Sequence, residues 1–125
     1  MNSKWLAPIL GLTFGLQGCA ASVPVSDGGS AHSMAVSKLQ RVNALAHACW
    51  LKDGEFREFG IVPELDTTST PRLLIIPRGK PQSLPQAVIV ASAGSAQFYG
   101  PLSASPLAPR INSDISRWAS GGTGC

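Results

Sequence analysis

Three cysteines, two histidines and seven carboxylates are the side chains with which this chain could do chemistry. Neither His32 nor His47 stands beside a serine or cysteine in a nucleophile motif, and Ala91-Ser92-Ala93-Gly94-Ser95 lacks the Gly-x-Ser-x-Gly elbow that exposes a catalytic serine. The acids Glu55, Glu58, Glu64, Asp66 and Asp114 show no pairing along the chain of the kind glycoside hydrolysis uses. His47, Cys49 and Cys125 would make an incomplete metal set, without a fourth ligand or paired spacing. The glycines of Gly121-Gly122-Thr123-Gly124-Cys125 follow no strand and open no helix, so they are not a phosphate loop. The expectation is therefore a protein that is not an enzyme, with no cofactor and no metal; a small hydrolase is the least favoured reading.

Charge excludes another class of function. Charged residues make up 14% of the chain, against roughly 25% in an average soluble domain. The basic residues are scattered, and only Arg72, Arg78 and Lys80 form a loose group. A nucleic-acid partner needs a concentrated basic stripe, and none is present. Those three residues read first as a solvated sheet edge and second as weak contacts for anionic ligands. A weakly charged surface suits a protein held at a membrane or packed on a partner.

The beginning of the chain carries an address. Met1-Asn2-Ser3-Lys4 is a short positive segment, and Trp5 to Leu16 is almost wholly apolar. That run is about a dozen residues, whereas a helix spanning the bilayer takes roughly 20. It reads as the hydrophobic region of a signal peptide. The next residues, Leu16-Gln17-Gly18-Cys19, resemble the lipobox of bacterial lipoproteins, with an aliphatic residue three before the cysteine and a small one just before it. Gln17 departs from the small or Ser/Thr-like residue usual at its place. The resemblance covers only the first nineteen or twenty residues, and no functional family is recognised beyond them. It implies lipidation of the Cys19 sulfur, removal of residues 1–18, and a membrane partner reached through the lipid. Ala20, in place of Asp, implies transport to the outer membrane, with the protein facing the periplasm. An ordinary secretory signal with a chance cysteine is the alternative.

If Cys19 carries lipid, Cys49 and Cys125 remain as a pair in an oxidising compartment, where disulfides persist. A bridge between them would enclose nearly the whole domain and pin the glycine-rich tail. Small domains have marginal cores, and such a staple offsets that.

The elements that must position these residues follow from hydrophobic period. Residues 19–33, rich in Ser, Gly and Ala, read as a flexible tether, leaving 34–125 as one small domain. From Met34 to Leu51, Ala35, Leu39, Val42, Ala46 and Cys49 recur at helical spacing, with Ser33 as cap and Asp53-Gly54 as stop. Phe56–Val62, Arg72–Ile76, Ala87–Ala91 and Gln97–Tyr99 read as strands, the first ended by Pro63. Their connections are too short for crossover helices, which favours an antiparallel meander. Ile111, Ile115 and Trp118 mark a closing helix that stops at Gly121. The expected fold is α+β: an antiparallel sheet of three or four strands flanked by an N-terminal and a C-terminal helix, clasped by the disulfide. Trp50, Phe56, Phe59, Phe98, Tyr99 and Trp118 read as core rather than as a ligand shelf, with Tyr99 the best candidate exception. The functional expectation is an envelope lipoprotein with a structural or protein-binding role. The alternative is a binding module for peptidoglycan or lipopolysaccharide.

Overall fold

A computed structural model describes residues 27–92 and 94–125. The expected signal segment, Cys19 and residues 20–26 of the expected tether lie outside the described residues. The first helix, α1 (Asp27–Cys49), continues into a 3-10 turn at Trp50–Lys52, and a second such turn covers Gly54–Phe56. Four strands follow: β1 (Phe59–Glu64), β2 (Arg72–Pro77), β3 (Ala87–Ala91) and β4 (Ala96–Tyr99). A 3-10 helix at Pro101–Ala104 leads to α2 (Ala108–Ala119). The strands pair antiparallel in sequence order, β1-β2-β3-β4, as the short connections require. The fold is α+β, with both helices on one face of the sheet.

The apolar period explains which faces meet. On α1, Leu39, Val42, Ala46 and Cys49 turn inward, and on α2, Ile111, Ile115 and Trp118 do so. They pack on Leu73, Ile75, Ala87, Ile89 and Ala96, which are alternate residues of the three strands β2, β3 and β4. Gly100, between β4 and the 3-10 helix, has a φ of 117°, a conformation that favours glycine. A Cβ there would stand 3.0 Å from the Gln86 carbonyl oxygen and 3.2 Å from the Ala87 Cα, so backbone closeness also demands glycine.

Three differences from expectation have a physical reason. The helix starts at Asp27, so residues 27–33 of the expected flexible tether are helical, and Ser33 lies within the helix instead of capping it. Ala31, Ser33 and Met34 are exposed, so residues 31–34 show no buried stripe, and extending a helix costs far less than starting one. Phe56 lies in a 3-10 turn instead of a strand, because its ring stacks on Trp50 at a centroid distance of 4.9 Å. Pro63 lies within β1 and does not end it. β1 is an edge strand, where a missing N–H is tolerated.

Candidate functional site

A pair of concavities lies between α1 and the connection from β1 to β2. Two adjoining clefts of about 610 and 530 Å³ share Gln40, Leu65, Asp66 and Thr67. Ser33, Val36, Ser37 and Gln40 recur at helical spacing on α1, so one helix face forms one wall. The opposite wall is rich in hydroxyls. The Ser69 backbone N–H donates to Thr67 Oγ1 at 3.0 Å, and the two side-chain hydroxyls lie 2.6 Å apart, fixing the turn. At the mouth, Arg72 donates to Glu64, its partner across the β1–β2 register, and this hydrogen bond raises the guanidinium pKa above its ordinary value.

His32, Gln40 and Asp66 line these clefts and make no hydrogen bond or ion pair among the described residues. Their donors and acceptors are open to a polar ligand. His32 and Asp66 share a cleft without being hydrogen-bonded, so no oriented acid–base pair exists there. Arg72 is the cleft's one arginine or lysine, and it is engaged with Glu64, while Asp66 adds a carboxylate. This balance is unsuited to an anion.

The most connected polar cluster lies elsewhere, beneath α2. Asp114 is 4% exposed and is the one buried charged residue among those described. It accepts from Trp50 Nε1 at 2.8 Å and from Arg117 Nη2 at 2.9 Å, with Arg110 Nε at 3.7 Å. Arg110 also donates to Asp53 at 2.6 Å and to Glu55 at 2.9 Å, and its guanidinium sits 5.1 Å from the centre of the Phe56 ring. Asp53 accepts the Glu55 backbone N–H at 2.9 Å. That bond first, and Arg110 second, hold its carboxyl below the ordinary value. These groups bind one another and fasten residues 50–56 to α2.

Cys49 and Cys125 are joined, with their Cα atoms 5.4 Å apart. The bond ties the last residue of α1 to the tail beyond α2, as the pairing argument expects. It also removes both sulfurs from the incomplete metal set with His47, which is exposed. Among the described residues no cluster of three potential metal ligands occurs. Gly124 supports the tail, its carbonyl accepting from Trp118 Nε1 at 2.9 Å.

Arg72, Arg78 and Lys80 are not brought together as one patch. Arg72 starts β2, and Arg78 follows its far end, donating through Nε to the Phe59 carbonyl at 3.3 Å. Of the aromatic residues, Trp50, Phe56 and Trp118 are core, and Phe59 and Phe98 pack against it. Tyr99 is 53% exposed, the exception the sequence singles out.

Sequence reasoning missed Gln40, Asp66 and Thr67 as cleft residues, and Asp114 with Arg110 as a buried network. The spacing of Arg110, Asp114 and Arg117 on one helix face was a signal for the network. Nothing along the chain joins residue 40 to residue 66. No family model, curated protein or solved structure matches this chain.

Proposed function

We propose that this chain is a lipoprotein of the bacterial cell envelope, anchored through Cys19 and placed at the outer membrane facing the periplasm. Its folded domain acts by contact with an envelope protein and not by catalysis. One observation carries the reading: Cys49 and Cys125 are bonded to each other, which leaves Cys19 outside that bond. That cysteine ends the lipobox-like Leu16-Gln17-Gly18-Cys19. A disulfide also suits an exported chain better than a cytosolic one. Two or more acyl chains suffice for stable anchoring.

The anchor is tested by labelling cells with a radioactive or alkyne-bearing fatty acid. The protein takes up label, and Cys19→Ser abolishes it; label persisting in the variant contradicts the assignment. The role is tested by crosslinking in intact cells, which should recover a reproducible envelope protein.

The hydroxyl-lined cleft supports a second reading, a module that binds an envelope glycan. Its carboxylates and engaged arginine favour the neutral sugars of peptidoglycan over the phosphates of lipopolysaccharide. Co-sedimentation with purified sacculi, lost on Asp66→Ala and Gln40→Ala, would favour this reading. Crosslinking that finds glycan and no protein would displace the first.

A further inference from the structure

The helices cover one face of the sheet, and the other face is apolar along its middle row. An antiparallel sheet that is wet on one side alternates apolar and polar residues. Here Val62, Leu74, Val88 and Tyr99 form one continuous cross-strand row on the face away from the helices. Ile76 lies beside the row on one side, and on the other Val90 shares a row with Glu64, Arg72 and Gln97. Ile76 is 5% exposed yet lies outside the core cluster. A Cβ on Gly60 would meet Ile76 Cγ1 at 4.0 Å, which places that side chain on this same face. Beside it, the β2–β3 connection carries Leu84, 83% exposed, with the basic residues Arg78 and Lys80.

We infer that this outer face lies on the bilayer holding the lipid anchor, with Val62, Leu74, Val88 and Tyr99 against the lipid interface. This rests on the lipoprotein reading. Three arguments choose a lipid surface over other occupants. The first is area. Four strands and five residues, the row of Glu64, Arg72 and Gln97 included, make a patch of at most roughly 14 by 17 Å. That is about 240 Å² in projection, against the ~800 Å² per partner of a stable protein interface. A weak surface of this size works when a tether keeps its target within reach.

The second argument is reach. From Cys19 to Asp27 the chain spans at most about 29 Å, at ~3.6 Å per residue. With the outer face down, α1 stands one layer above the sheet, a spacing on the order of 10 Å, and its start is within range. With the β2–β3 connection down, the start of α1 stands at the opposite pole, beside the β1–β2 connection. The 23 residues of α1 make a helix of about 35 Å, longer than that reach. The third argument is chemistry. A half-exposed tyrosine suits the headgroup level, and Arg78 and Lys80 at the margin suit anionic lipid.

The test uses the full lipidated protein in vesicles of phosphatidylethanolamine and phosphatidylglycerol, some with brominated acyl chains. Tyr99→Trp places a reporter on the face, and Ser113→Trp places one on the exposed side of α2. The face reporter should be quenched by bromine at least about twofold more than the α2 reporter. Adding Val88→Glu should remove that difference while the protein still sediments with vesicles. Equal quenching of the two reporters in vesicle-bound protein overturns the inference, as does a crosslink through residue 99 that joins two copies. Failure of the lipidated wild type to sediment overturns the anchor reading, and this inference falls with it.

Discussion

Cys125→Ser isolates the contribution of the disulfide, because Cys125 is exposed while its partner sits in the core. The bond closes a separation of 76 residues. Chain-entropy reasoning assigns such a loop about 15 cal/mol/K, or about 4.5 kcal/mol at 25 °C. A domain of this size loses roughly 4–8 °C of Tm per kcal/mol. Because disulfides often deliver less than the loop estimate, the expected fall is about 15–30 °C. The assay is thermal unfolding by circular dichroism on oxidised wild type, reduced wild type and Cys125→Ser. The last two should agree within a few degrees. Urea unfolding should show a larger m value for the variant, since an uncrosslinked chain exposes more surface. A fall of less than about 5 °C would refute the reasoning, because a loop of this length should weigh more than that.

Three further outcomes follow from named contacts. Asp114→Ala leaves the Trp50 indole N–H and Arg117 without their buried acceptor and should cost about 3 kcal/mol in urea unfolding. Asp114→Asn keeps an acceptor for Trp50 and should cost less, so equal losses would contradict the network. The Asn43 side-chain oxygen is buried without a hydrogen-bond partner among the described residues, so Asn43→Leu should be neutral or stabilising. A loss above about 1 kcal/mol would show that the amide is satisfied in solution. Asp53 has its pKa lowered below 3.8, so its stabilising contribution is present above that value and is lost as pH falls through the folded pKa. Asp53→Asn should therefore reduce stability near neutrality and flatten the acid limb below about pH 4; an unchanged limb would assign it to other groups.

Much of the fold is legible because burial and period coincide. Leu39, Val42 and Ala46 repeat at helical spacing and are buried on α1, and Ile111, Ile115 and Trp118 do the same on α2. Where tertiary contact decides, the pattern misleads. Phe56 follows its stacking partner Trp50 into a turn, and the exposed Ala31, Ser33 and Met34 leave no stripe to read. The continuous apolar runs of β2 and β3 signal burial on both faces, whereas the helices cover only one. That mismatch points to the outer face. The cleft was not legible, because its walls come from residues 32–40 and 63–72 and meet only in the fold. Arg72, a candidate for anion contacts, has its charge matched by Glu64 through strand register, which short-range patterns do not reveal.

The central claim is that Cys19 is the anchor, and the intact mass of the protein purified from envelopes tests it most directly. The account predicts a mature chain beginning at Cys19, heavier by a diacylglyceryl group with or without a further acyl chain, and two hydrogens lighter for the Cys49–Cys125 bond. An unmodified mass, or an amino terminus at any other residue, would contradict it.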